Sequence, residues 1–124
     1  MSRIVTIGAA QLGPIAPDES RASAVNRMIE LLKQAGDRGW NFVVFPELAL
    51  TTFFPRYYEE HISRMDHHYE REMPSAETRP LFEAAAERGI GFYLGYAELT
   101  PNGHRYNTAI LVDETGKITG RYRK

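Results

Sequence analysis

The chain has 124 residues, of which 43% are hydrophobic and 25% charged, and its formal net charge is -1. This length fits one small domain at most, and the near-zero charge gives no indication of a nucleic-acid partner. No apolar run approaches the roughly 18 residues of a membrane span, and residues 1–4 lack the apolar core of a signal peptide. We therefore expect a cytoplasmic protein without membrane contact. The absence of cysteine excludes disulfides and thiolate metal sites.

The first part of the chain is predicted to form a strand–helix–strand unit. Residues 4–11 are β-branched and apolar, which is typical of a strand covered on both sheet faces. Residues 18–20 are rich in helix-capping side chains, and Gly36 and Gly39 end the helix. Its buried stripe is predicted to contain Ala22, Val25, Ile29, Leu32 and Ala35. Residues 40–45 form the second strand, and the helix between the two favours a parallel pair.

The second part is predicted to contain one helix and three strands. The helix covers residues 77–88 and ends at Gly89. Its inward residues are predicted to be Leu81, Phe82, Ala85 and Ala86. Residues 90–98 and 106–112 are predicted to form a hairpin, and residues 117–122 a fifth strand. The order β-α-β-α-β-β-β indicates a layered α/β fold.

The long connection over residues 47–74 has no clean hydrophobic period. It concentrates aromatic, charged and histidine side chains, with a possible short helix over residues 57–69. A connection of this length is either functional or mobile. The aromatic residues at its start either line a pocket or belong to the core, and the sequence does not decide between these two possibilities.

Glu47 follows Pro46 at the carboxyl end of the second predicted strand. Ligands bind at that end of open α/β sheets. Neighbouring Phe45, Phe53 and Phe54 are expected to desolvate the carboxylate partly and to raise its pKa towards the range of a general base. Position alone also fits an ordinary loop carboxylate, which is the commoner case.

Lys124 and Asn107 are the other candidates for a polar site. A lysine after a strand could stabilise an oxyanion in an enclosed site, although a solvated terminal lysine is the commoner case. Asn107 lies within an otherwise apolar strand, where it could serve a site or satisfy a backbone group. The four histidines lack a matching acid pair, so we expect no metal site.

Two motifs resemble a known family. The run from Phe42 to Thr51, FVVFPELALT, resembles the first signature of the nitrilase superfamily, the carbon–nitrogen hydrolases. Residues 106–113, 116–118 and 122–124 resemble the second signature of the same superfamily. In the family, that second signature ends in the catalytic lysine. Residues 8–11 resemble the family's first strand. The motifs occur in family order. Because they run from residue 8 to residue 124, the resemblance spans essentially the whole chain.

Within the superfamily, the sequence is similar to N-carbamoyl-D-amino-acid amidohydrolases. This similarity lies in residues 41–56, 72–74, 79–83 and 89–99. It implies hydrolysis of an N-carbamoyl-D-amino acid to the D-amino acid, ammonia and carbon dioxide. No metal and no organic cofactor is expected. The partner is a small carbamoyl or amide substrate, and the full-length form is expected to be a homo-oligomer.

The resemblance also implies the site. It predicts the N-terminal part of an α-β-β-α sandwich with a Glu-Lys-Cys triad, in which Glu47 is the general base and Lys124 the oxyanion-stabilising cation. Thr51, Phe53, Phe54 and Asn107 are expected to contact the substrate. The nucleophilic cysteine belongs to a later motif, so residues 1–124 are expected to be a partial domain that is inactive alone.

Alternatives stay open at this point. The chain could be a non-catalytic, standalone half-sandwich that acts as an interaction module and covers its exposed sheet by self-association. It could also belong to another amidase of the superfamily. A histidine-based hydrolase is disfavoured, because the chain has no ordered Ser-His-Asp pattern.

Overall fold

The computed structural model describes all 124 residues and contains one five-stranded mixed sheet. The strands lie in chain order across the sheet: β1 (Ile7–Ala9), β2 (Phe42–Val44), β3 (Gly91–Leu99), β4 (Arg105–Val112) and β5 (Ile118–Arg123). The pairs β1–β2 and β2–β3 are parallel, whereas β3–β4 and β4–β5 are antiparallel. The predicted element order, the parallel first pair and the hairpin are confirmed.

The two α-helices, α1 (Arg21–Asp37) and α2 (Arg79–Arg88), pack on the same face of the sheet. The hydroxyl of Ser20 caps α1 by accepting a hydrogen bond from the Ser23 backbone N–H at 3.1 Å. Gly89 ends α2 in the left-handed conformation, with φ of 63°. Glycine is the residue that adopts this conformation most readily, so the predicted helix end at Gly89 is confirmed. Neither helix combines the length and the apolarity needed to cross a membrane.

The buried helix faces differ from the predicted ones at several positions. Ala22 is exposed, because it lies in the first turn of α1 on the side away from the sheet, and the buried stripe starts at Ala24. Ile29 is only partly buried. In α2, Ala84 is buried and Ala86 is half-buried, because the helix is rotated slightly from the predicted arc.

The α-helices cover only one face of the sheet. The helices pack against one set of alternate strand residues, namely Val43, Phe92, Leu94, Tyr96, Ile110 and Val112. On the opposite face, which we call the open face, Ile7 is 60% and Tyr122 69% exposed. The expectation that β1 is covered on both faces is therefore wrong. The strand is also shorter than predicted, because only three of its residues pair with β2.

The connection after β2 lies against β3. It contains two 3-10 helices, Phe54–Arg56 and Ile62–His68, the second of which falls within the predicted short helix. Leu48, Phe54 and Ala97 form a small separate core, against which Met65 and Tyr69 pack. Farther along, the Glu70 backbone N–H donates to the Ala97 carbonyl at 2.7 Å.

The chain forms a bulge over Gly95 of β3 where it leaves β2. The Phe45 N–H donates to the Tyr93 carbonyl at 3.0 Å, and the Ala49 N–H to the Gly95 carbonyl at 2.9 Å. Four residues of one segment therefore span two of the other, so residues 46–48 bulge outward, with Leu48 in the left-handed region at φ of 48°. A Cβ on Gly95 would lie 3.1 Å from the Glu47 Cα.

Gly95→Ala is expected to destabilise the chain by about 1–3 kcal/mol, because the atoms in its way are backbone atoms of the bulge. Gly120→Ala is the matched control, since its new methyl would contact only the Leu111 Cβ, at 3.5 Å. It should change the free energy of unfolding by less than about 0.5 kcal/mol. Urea unfolding measures both variants. Equal losses would contradict a close contact specific to Gly95.

Candidate active site

Glu47, Asn107 and Lys124 meet on the open face. The Lys124 ammonium donates to Glu47 Oε1 at 2.7 Å, and the Asn107 amide donates to the same oxygen at 2.7 Å. Asn107 and Lys124 also exchange two backbone hydrogen bonds, of 3.1 and 3.0 Å. They therefore lie directly opposite each other on antiparallel strands, which puts their side chains on the same face. The bulge after β2 brings Glu47 to them.

The pKa of Glu47 is lowered from its ordinary value, first by the hydrogen bond from Lys124 and then by that from Asn107. The expected rise through desolvation is wrong, because the Glu47 side chain is 50% exposed. Phe45 and Phe54 do not enclose it, since both are buried in other parts of the structure. The carboxylate is therefore ionised at neutral pH and is able to accept a proton.

The pKa of Lys124 is raised, chiefly by its hydrogen bond to Glu47. Because the pKa of Glu47 is lower in the folded state, its carboxylate stabilises the fold at pH values above its unfolded-state pKa. This stabilisation is lost as the pH falls through the folded-state pKa of Glu47. The raised pKa of Lys124 gives a contribution that is lost as the pH rises through the folded-state pKa of the ammonium. Between these limits the two groups form an ion pair.

A pocket of about 310 Å³ surrounds the ion pair. Besides Glu47, Asn107 and Lys124, it is lined by Tyr93, Gly95, Thr108, Ala109 and Tyr122. The two tyrosines are not among the predicted site residues. The period of two along a strand could have identified Tyr122, because it lies two residues before Lys124 and therefore on the same face.

The other predicted substrate contacts do not line the pocket around the ion pair. Thr51 and Phe53 line a neighbouring pocket of about 200 Å³ that also contains Glu47. Phe54 lines neither of these two pockets. It is buried in the small core, where its ring stacks on His68 with centroids 4.6 Å apart. No group of three or more histidine, aspartate or glutamate side chains is arranged to hold a metal ion.

A second ion pair fixes the end of β5 from the helix side. Arg123 donates to both carboxylate oxygens of Glu98, at 2.6 and 2.7 Å. The Thr108 hydroxyl donates to the same carboxylate at 2.8 Å. The hydrogen bond from Arg123 is the main reason that the pKa of Glu98 is lowered. Because successive strand residues point to opposite faces, this clamp positions Lys124 without occupying the open face.

The fold is nitrilase-like. The structure of Saccharomyces cerevisiae Nit3, a member of branch 10 of the nitrilase superfamily, superposes with a TM-score of 0.76 at 21% identity, over 97% of this chain and 44% of that chain. Residues 6–124 match the sequence model of the family described as Carbon-nitrogen hydrolase. The chain belongs to the carbon–nitrogen hydrolase family.

Two further proteins are similar to this chain. Nitrilase 2, from an unknown prokaryotic organism, is 31% identical over 97% of this chain and 40% of its own length. A mutant amidase from Nesterenkonia sp. AN1, with acrylamide added at its active-site cysteine, has a TM-score of 0.72 at 20% identity, over 98% of this chain and 44% of that chain. The chain thus spans about two-fifths of the length of these relatives.

Lys124→Met is expected to raise the pKa of Glu47 towards its ordinary value. The substitution removes the hydrogen bond that lowers this pKa most, together with the nearby positive charge. Carbon-13 NMR titration of the Glu47 carboxyl group measures the change. Lys117→Met is the control, since Lys117 is exposed and makes no ion pair with Glu47. An unchanged Glu47 titration in Lys124→Met would contradict the observed pairing.

Proposed function

We propose that this chain supplies the general base and the oxyanion-stabilising cation of a Glu-Lys-Cys carbon–nitrogen hydrolase. The observation that carries the proposal is the 2.7 Å contact between Glu47 and Lys124 on the open face. Because the chain has no cysteine and spans about two-fifths of its relatives, the nucleophile comes from sequence outside these 124 residues. The active-site cysteine of the Nesterenkonia amidase supports this assignment.

The first half-reaction forms an acyl-enzyme. Glu47 accepts the proton of the cysteine thiol, and the sulfur attacks the carbonyl carbon of the substrate. The carbonyl oxygen becomes an oxyanion, which the Lys124 ammonium stabilises. As the tetrahedral intermediate collapses, the carbon–nitrogen bond breaks, and the amine leaves as ammonia with the proton that Glu47 had taken up.

The second half-reaction returns the enzyme to its starting state. Water attacks the thioester carbon and gives one proton to Glu47, and the thiolate leaves and recovers that proton. The ionised state of Glu47 suits both proton transfers, since a protonated carboxyl group could not act as a base. Asn107 holds the carboxylate oxygen nearest Lys124 and so fixes its orientation.

The proposed substrate is an N-carbamoyl-D-amino acid. Ammonia leaves in the first half-reaction, and hydrolysis of the acyl-enzyme releases an N-carboxy amino acid that decomposes to the D-amino acid and carbon dioxide. This choice is supported by the local similarity of residues 41–56 and 89–99 to N-carbamoyl-D-amino-acid amidohydrolases. Simple amides and nitriles are the alternative substrates, because Nitrilase 2 and the Nesterenkonia amidase carry those names.

A non-catalytic interaction module is the second candidate, and the apolar open face favours it. Ile7, Leu111 and Tyr122 expose large apolar side chains there. A face of this kind is often covered by another surface. Self-association of the 124-residue chain, lost on Leu111→Lys and measured by analytical ultracentrifugation, would favour the module.

The decisive experiment expresses the whole reading frame that contains residues 1–124. Ammonia release is then measured with N-carbamoyl-D-amino acids, simple amides and nitriles. Glu47→Gln should lower kcat by about 10²–10⁴-fold, and Lys124→Met by about 10²–10³-fold. Lys117→Met should leave the rate unchanged. A reading frame without a cysteine after Lys124, or full activity in Glu47→Gln, would contradict the proposal.

A further inference from the structure

A third pocket, which we call the side pocket, lies beside the ion pair under the connection between β2 and α2. Its volume is about 340 Å³. Its apolar walls include Phe54, Pro55, Ile62, Met65, Tyr69 and Ala97. A cavity of about 150 Å³ with apolar walls is sufficient to bind benzene, so the side pocket has room for an aromatic ring.

The side pocket is contiguous with the proposed reaction site. Asn107 lines both the side pocket and the pocket around Glu47 and Lys124. Leu48, the residue that follows Glu47, also lines the side pocket. The side pocket therefore adjoins the pocket around the ion pair.

The charged residues that line the side pocket already have partners within the protein. Arg105 donates to Asp66 through two nitrogens, at 2.9 and 2.7 Å. Glu59 accepts hydrogen bonds from the His61 backbone N–H at 3.1 Å and from Arg64 at 3.4 Å. A charged ligand group would find no free counter-charge, whereas an uncharged apolar group would bury surface without breaking an ion pair.

The same contacts hold the pocket wall in place. Asp66 belongs to the 3-10 helix that carries Ile62 and Met65, and its partner Arg105 lies in β4, two residues before Asn107. The Arg105 guanidinium also lies 5.9 Å from the centre of the Tyr69 ring. The wall is thus tied to the strand that orients the Glu47 carboxylate.

We propose that the side pocket is the subsite for an uncharged apolar substituent, such as an aromatic ring, on the substrate of this enzyme. The proposal rests on the hydrolase function proposed above and adds the chemical class of one substituent of the substrate. Met65 and Ile62 set the size of the accepted group, because their flexible side chains form the wall opposite the sheet.

Binding to the 124-residue chain tests this proposal without any turnover. Phenylacetamide and acetamide share the amide group and differ in the ring, so each is titrated while the methyl signals of Met65 and Ile62 are followed by NMR. Phenylacetamide should bind at least about tenfold more tightly and shift both methyl signals. Equal affinity for the two amides, or shifts confined to the open-face residues Tyr93 and Tyr122, would overturn the proposal.

Two variants of Met65 separate filling of the pocket from loss of structure. Met65→Trp should fill the pocket and remove the preference for phenylacetamide, whereas Ile4→Trp, at an exposed position outside the pocket, should keep it. If Met65→Trp fails to fold, Met65→Ala serves in its place. The enlarged pocket should then favour 1-naphthylacetamide over phenylacetamide relative to the unmodified chain, and an unchanged preference would overturn the proposal.

The enzyme from the whole reading frame gives an independent measurement. Met65→Trp should lower kcat/KM for phenylacetamide at least about tenfold and leave that for acetamide within about twofold. An equal fall for both amides would overturn the subsite. Ring-dependent binding in a protein without hydrolytic activity would instead refute the proposed function and leave the subsite intact, so the two failures are distinguishable.

Discussion

The ion pair between Glu47 and Lys124 joins positions 77 residues apart and spans several strands of the sheet. Neighbouring strands lie about 4.8 Å apart, so a side chain above β3 has to extend over β4 to meet one on β5. The bulge lifts Glu47 onto the open face, and the row beneath it contains the small residues Gly95 and Ala109. A large side chain at either position would separate the base from the cation.

The opposite pKa shifts of Glu47 and Lys124 indicate a charged site, and this site is exposed to solvent. Both side chains are more than one-third exposed, so water screens much of their attraction. Covering the open face would exclude this water and strengthen every interaction of the carboxylate and the ammonium. In the proposed enzyme, sequence outside this chain has to provide that cover as well as the cysteine.

The sequence predicts the features that depend on local chemistry. Glycine stops, hydrophobic periods and turn residues located both helices and the order of the strands, and the two motifs led to Glu47 and Lys124. Coverage of the sheet faces could not be predicted, because an apolar strand has the same composition whether its second face is open or covered. The predicted direction of the Glu47 pKa shift was wrong for a related reason. Phe45 and Phe54 lie near Glu47 in sequence, yet both are buried in other parts of the structure.

The alternation of side chains along β4 and β5 separates the reaction site from the contacts that hold it. Asn107 and Lys124 lie on the open face, whereas the adjacent Thr108 and Arg123 bind Glu98 on the helix side. Glu98 is buried and makes its hydrogen bonds with Thr108 and Arg123, so its structural link to Glu47 runs through the end of β5. The two backbone hydrogen bonds between Asn107 and Lys124 transmit any such movement directly, because they fix both residues at the same level of the sheet.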